Sequence, residues 1–118
     1  MLEQGVTHCL AALAAGDTTS VRLLTAALDR IADPEGEGAR VFRDVFADTA
    51  MAEAQASDRR RAAGEPLGRL DGVPVSVKDL FDIAGRVTMA GSVALASDPM
   101  SYWVRGGGVS LVLLALPS

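Results

Sequence analysis

A single lysine, Lys78, stands among the eleven cationic residues of this 118-residue chain, and the other ten are arginines. A guanidinium stays protonated in proteins, whereas a lysine amine that is removed from water can lose its proton and act as a base. Lys78 follows the apolar run 73–77, and burial there would lower its ordinary pKa of about 10.4 towards neutrality. The competing interpretation is a hydrated cation at a strand end. The residue types alone leave both open.

Other residues that could do chemistry give weaker signals. His8 and Cys9 are adjacent, so one helix face cannot present both to a metal ion, and no partner cluster follows them. Asp79 and Asp82 could pair as carboxylates, but we favour a role for Asp79 in capping the turn after the strand or in orienting Lys78. We therefore expect no metal site and no cofactor.

Two runs of identical residues could bind anions. Arg59–Arg61 is better interpreted as a solvated helix end whose charge complements the helix dipole. The glycine run 106–108 lacks the Lys-Ser/Thr pair and the flanking strand and helix of a phosphate-binding loop. Both runs are therefore predicted to be structural.

Composition excludes several classes of protein. A net charge of −4, a pI near 4.8 and 4% aromatic residues do not fit a nucleic-acid-binding surface. One cysteine cannot form an internal disulfide and fits a reducing compartment. The first four residues lack the basic region of a secretory signal, and no apolar run approaches the roughly 18 residues of a membrane span. The sequence predicts a cytoplasmic protein without membrane or nucleic-acid contacts.

The spacing of apolar residues predicts three helices before residue 64. The first ends at Gly16, the second follows the polar cluster 17–20 and ends at Asp33-Pro34, and the third runs from about Arg40 to Ala63, with Gly64 just beyond. The alternating segment 73–77 then predicts a strand. Pro74 cannot donate to a ladder, so it belongs at an edge, a bulge or the first strand position.

The last nineteen residues have a different composition. Residues 100–118 contain no acidic residue and one cation, Arg105, although 22% of the chain is charged. The apolar run 109–116 has no clear helix or strand pattern. We therefore divide the chain into residues 1–99 and a divergent tail, 100–118.

Residues 42–92 carry a set of separated positions that resembles the amidase signature family, which includes free amidases and the amidase subunit of the tRNA-dependent amidotransferase. Its most specific element is Gly-hydrophobic-Pro-x-x-x-Lys-Asp, which matches residues 72–79. The other matching positions are Ala50, Ala54, Asp58, Gly64, Pro66-Leu67-Gly68, Leu70, Asp82, Gly85, Thr88 and Gly91-Ser92.

The resemblance implies an α/β fold, of which this chain would supply N-terminal helices and one or two strands of a larger α/β/α sandwich. It also implies a Ser–Ser–Lys triad that acts on carboxamides, in which Lys78 matches the family lysine. In that chemistry the neutral lysine takes a proton through a bridging serine, and the second serine attacks the amide carbonyl.

The two serines of the family lie in a Gly/Ser-rich segment downstream of the lysine, and no serine of this chain matches them. The position of Ser92 corresponds to a loop residue of the family. We therefore expect a truncated or frameshifted amidase, without turnover by itself and with a marginal fold whose helices precede Gly64. The alternative is a non-catalytic helical interaction module or a degraded gene product. As the parent protein, a free amidase is slightly favoured by the acidic composition over the amidotransferase.

Overall fold

The computed structural model describes residues 2–78 and 112–115, with side chains for residues 2–42 and 45–76. After a short 3-10 turn at Leu2–Gln4, the elements in chain order are α1 (Val6–Ala15), α2 (Ser20–Ala32), α3 (Gly38–Val41), β1 (Phe42–Val45), α4 (Ala47–Ala62), β2 (Val75–Lys78) and β3 (Val112–Ala115).

The ends of the first two helices confirm the sequence-based predictions. Gly16 follows α1 in the left-handed conformation, with φ of 78°, and its N–H caps the last turn. Thr19 is the N-cap of α2, where its hydroxyl accepts a hydrogen bond from the N–H of Arg22. The helix ends at Ala32, since Asp33 precedes a proline and adopts an extended conformation.

The third predicted helix, 40–63, was wrong over residues 42–46. Only α3 and α4 are helical there, and the four residues of β1 lie between them. The segment 41–46 is rich in valine and phenylalanine, which suit a strand when a partner is present. The other end is as predicted, because α4 finishes at Ala62 and Gly64 has φ of 74°.

The three strands form one sheet in the order β1-β3-β2. β3 pairs antiparallel with β1 and parallel with β2, so that Val75 lies opposite Val112 and Lys78 opposite Ala115. Two strands, β2 and β3, follow the helices, as expected, whereas β1 between α3 and α4 was not predicted. An unbroken apolar run such as 112–115 is typical of a central strand, which periodicity alone does not reveal. β2 lies at an edge of the described sheet, directly after Pro74, as predicted.

Helix α2 contributes to both hydrophobic clusters of the described residues. On one side, Leu24 packs with Ala50 and Ala54 of α4. On the other side, Leu23 packs with α1 and with Val73, just before β2; this cluster contains Cys9, Leu13, Leu23 and Val73. α2 therefore joins the other helices to the segment that leads into β2. Within residues 2–78 and 112–115, every helix is too short or too polar to span a bilayer.

We predict that Leu24→Ala lowers the free energy of unfolding by about 3 kcal/mol, since its side chain is fully buried. Leu67→Ala, at a leucine that is 63% exposed, is the matched control and should cost less than about 0.5 kcal/mol. Urea unfolding followed by far-ultraviolet circular dichroism measures both. Equal effects of the two substitutions would contradict this description of the core.

Candidate active site

Lys78 is the last residue of β2, so its backbone lies at the carboxyl end of a strand that pairs in parallel with β3. Ligand sites of α/β sheets are commonly found beyond the carboxyl ends of parallel strands. The position is therefore a common one for a residue that contacts a ligand. Asp79 and Asp82, Ser92 and the glycine run 106–108 lie outside the described residues.

The loop before β2 is anchored by a buried carboxylate, that of Asp71. Its side chain is fully buried and accepts two hydrogen bonds from Arg60 of α4, at 2.7 Å from Nη2 and 3.1 Å from Nε. The N–H of Leu67 donates a third, at 3.0 Å. A two-point arginine–carboxylate pair fixes orientation as well as distance.

These hydrogen bonds determine how Asp71 titrates. Hydrogen bonds from Arg60, helped by the N–H of Leu67 and by the positive charge of Arg60, hold the pKa of Asp71 far below its usual range, although burial acts in the opposite direction. The same pair raises the pKa of Arg60. Asp71 is therefore ionised throughout the neutral and mildly acidic range.

Two further side chains hold the backbone of this loop. Arg61 donates from Nη2 to the carbonyl of Asp71 at 2.8 Å, and the hydroxyl of Ser20 donates to the carbonyl of Gly72 at 2.8 Å. Successive carbonyls are thus bound by α4 and by α2. The predicted solvated helix end was therefore wrong for two of the three arginines, because Arg60 and Arg61 bind the loop. The structural interpretation of the run was correct.

Gly72 lies where the loop passes closest to the helices. Its φ is 95°, and a Cβ at this position would lie 2.9 Å from Oγ of Ser57 and 3.3 Å from Cβ of Ser20. Both the left-handed backbone and the lack of space favour glycine. The next residue, Val73, is buried in the cluster with Leu23.

Asp58 of α4 links this helix to α2. Its carboxylate accepts hydrogen bonds from the first backbone N–H groups of α2, at 2.7 Å from Ser20 and 3.1 Å from Val21. A carboxylate at a helix N-terminus satisfies free donors and interacts favourably with the helix dipole. This contact gives a structural reason for the matching aspartate of the family pattern.

The pairing of Arg60 with Asp71 and the role of Ser20 were not predicted from the sequence. One signal was available, since Asp71 is an acidic residue beside a turn glycine and an apolar strand, where an unpaired charge would be costly. As for metal binding, Cys9 is buried while His8 is exposed. Among the described residues, no group of three His, Cys, Asp or Glu side chains could hold a metal ion.

The described residues thus combine helices with a three-stranded sheet, place the chain's one lysine at the end of a strand that pairs in parallel, and fix the preceding loop with buried polar contacts. The sequence model of the amidase family matches residues 22–102. The chain belongs to the amidase family, as the resemblance predicted.

Similar proteins agree with this assignment. The chain is 47% identical over 91 residues to a glutamyl-tRNA(Gln) amidotransferase subunit of Chloroflexus aurantiacus, in a match that covers 77% of this chain and 18% of that protein. Among solved structures, one from a study of a vestigial protein complex and the origins of an s-triazine catabolic enzyme matches with a TM-score of 0.76 and 32% identity, over 93% of this chain and 25% of that one. The peptide amidase of Stenotrophomonas maltophilia matches with a TM-score of 0.63 and 37% identity, over 74% and 18%.

The chain spans only 18% of the length of the curated relative from Chloroflexus aurantiacus. The segment 22–102 that matches the family contains α2 from its third residue onward, α3, β1, α4, the anchored loop and the strand that ends at Lys78.

We predict that Asp71→Asn lowers the free energy of unfolding by about 3 kcal/mol at pH 7, because it leaves Arg60 without its buried partner. A folded pKa below the unfolded one contributes stability that is complete above the ordinary aspartate pKa of about 3.9 and is lost as the pH falls below it. The difference between wild type and variant should therefore be constant from about pH 5 to 7 and shrink below about pH 4.

Urea titrations between about pH 3 and 7 measure this difference. Glu37→Gln, at an exposed carboxylate paired with Arg40, is the matched control and should change stability by less than about 0.5 kcal/mol. If the difference in the free energy of unfolding between wild type and Asp71→Asn grew as the pH fell, the assignment of a lowered pKa to Asp71 would be contradicted.

We predict that Gly72→Ala is destabilising by about 1–3 kcal/mol, from the positive φ and the contact with Ser57 together. Gly68→Ala, in the same loop but with nothing within 4 Å of the added Cβ, is the control. Thermal unfolding of the two variants distinguishes them, and an equal loss of stability would show that Gly72 is replaceable.

Proposed function

We propose that this chain carries the N-terminal part of an amidase domain and that Lys78 is the proton-accepting base of a Ser–Ser–Lys triad. The observation that carries the proposal is the position of the chain's one lysine at the carboxyl end of β2, within the segment that matches the amidase family. The substrate class is a carboxamide.

In the proposed chemistry the neutral amine of Lys78 takes a proton from the nucleophilic serine through a bridging serine. The serine oxygen forms a bond to the amide carbonyl carbon, and backbone N–H groups stabilise the resulting oxyanion. The C–N bond then breaks, and ammonia or an amine leaves with a proton. Water or another acceptor finally releases the acyl group.

Both serines of this triad would come from outside the described residues. Ser20 and Ser57 are buried in the contacts between α2, α4 and the loop, and Ser76 is exposed on β2 itself. None matches the family's Gly/Ser-rich segment. We therefore propose that these 118 residues do not hydrolyse an amide by themselves.

We propose only the class of substrate, a carboxamide, because the similar proteins are named for different reactions. One is named as part of a glutamyl-tRNA(Gln) amidotransferase, and another is named as a peptide amidase. A carboxamide is the group common to both kinds of protein, and it needs no metal or cofactor in the triad chemistry.

We predict that the purified chain hydrolyses aliphatic and aryl amides no faster than its Lys78→Ala variant. Ammonia release measured with a coupled assay tests this. Clear turnover that depends on Lys78 would show that the chain contains its own nucleophile, and the proposal of an incomplete triad would then fail.

A chimera tests the role of Lys78 directly. The aligned segment of the Stenotrophomonas maltophilia peptide amidase is replaced by the matching residues of this chain, and hydrolysis of a peptide amide is followed. We predict activity that falls by about 10²–10⁴-fold in Lys78→Ala, as is typical for loss of a general base. Lys78→Arg should be equally inactive, because a guanidinium cannot accept the proton.

Arg30→Gln, which removes an exposed ion pair with Glu3, is the control that should retain activity in the chimera. An active chimera that tolerates Lys78→Ala would refute the proposed base. A folded chimera without activity would favour the alternative, a helical module that no longer supports catalysis.

A further inference from the structure

The contacts around Asp71 converge on the few residues that precede the lysine-bearing strand. Asp71 is held by Arg60, its carbonyl by Arg61, and the next carbonyl, that of Gly72, by Ser20. Only Val73 and Pro74 separate these contacts from the first residue of β2. Val73 is itself buried, so little freedom remains in the connection.

We propose that Asp71 and Arg60 are positioning residues for Lys78, which they act on by fixing the register of β2. This inference rests on the proposed function of Lys78 as a base. Neither side chain is proposed to touch a substrate.

The physical reason is the two-residue period of a strand. A shift of one residue in the pairing of β2 with β3 would exchange the two faces of the strand and turn Lys78 to the other side of the sheet. β2 and β3 share only four paired positions, from Val75–Val112 to Lys78–Ala115, so the pairing itself specifies register weakly. Because the backbone at Gly72 is fixed only three residues before β2, the one-residue shift of β2 against β3 is excluded.

The polar character of the anchor also fits this role. An apolar contact tolerates sliding, whereas the two-point pair between Arg60 and Asp71 and the third donor from Leu67 satisfy one arrangement only. Buried ionic groups of this kind are best attested as devices that select one register or orientation. The close approach of Gly72 to Ser57 limits movement of the loop in the same way.

The single lysine allows a direct test on the 118-residue chain. In protein labelled with ¹³C-lysine, the ε-methylene of Lys78 gives one signal, whose shift and titration midpoint report the surroundings of its amine. Amide hydrogen exchange of 75–78 reports the strand. The variants are Asp71→Asn and Arg60→Gln, where glutamine rather than lysine keeps Lys78 the only labelled site. Glu37→Gln, at an exposed ion pair, is the control.

We expect both variants to move the midpoint of Lys78 towards its ordinary value near about 10.4 and to speed exchange of 75–78 by about tenfold or more. The control should change neither. The double variant Arg60→Gln/Asp71→Asn should be no more affected than either single variant, because the two residues act as a pair.

The inference is overturned if Asp71→Asn leaves both the Lys78 midpoint and the exchange of 75–78 unchanged. It is also overturned if both variants lose their helices by circular dichroism, since the pair would then support the whole fold rather than β2. A wild-type midpoint already at the ordinary lysine value would count against the proposed function instead. Exchange of 75–78 would then decide the positioning role by itself.

Discussion

Burial of the Asp71 carboxylate is the constraint on which the arrangement of these elements depends. A charged group without access to water is costly unless donors replace its hydration, and here Arg60 and the N–H of Leu67 do so. These donors come from the last turn of α4 and from the loop itself. The loop between residues 64 and 72 must therefore fold back on α4, and this return directs the chain into β2.

Helix α2 connects the junction, which is the region where the loop 64–72 contacts α4, with the rest of the described residues. Its first N–H groups are bound by Asp58 of α4, and the hydroxyl of Ser20 binds the carbonyl of Gly72. One turn further along, Leu23 and Leu24 enter the two hydrophobic clusters. Polar contacts thus fix the orientation of α2, while apolar contacts on both sides supply most of the driving force for packing. The junction and both clusters are thus joined through one helix.

Local features of this structure could be predicted from the sequence, and non-local ones could not. Gly16, Thr19 and Gly64 mark helix ends through backbone conformation or capping, which depend on a few neighbouring residues. Pro74 likewise marks the start of β2. In contrast, β1 is a strand because β3, which lies far along the chain, pairs with it, and no local pattern encodes that partner.

The candidate site likewise has local features that the sequence predicts and non-local features that it does not. The position of Lys78 at a strand end follows from the apolar run before it, whereas the pairing of Arg60 with Asp71 requires α4 and the loop to be packed together. Three adjacent arginines at a helix end are usually solvated, so their number gave no sign that two of them bind the loop. Only the tertiary structure, in which Asp71 is buried against α4, distinguishes the two arginines that bind the loop from the third.

In the proposed role of Lys78 as a base, the lysine and the anchoring carboxylate titrate in separate ranges of pH, and this separation would have a consequence for catalysis. The proposed base must be neutral, so activity of an amidase that carries the segment would rise with pH through the pKa of that lysine. The anchor behaves in the opposite way, because the lowered pKa of Asp71 confines its protonation to strong acid. Between these limits the loop and the start of β2 keep one arrangement while the amine changes its charge. A pH profile measured above about pH 5 would therefore report the lysine and not the pair that holds its strand.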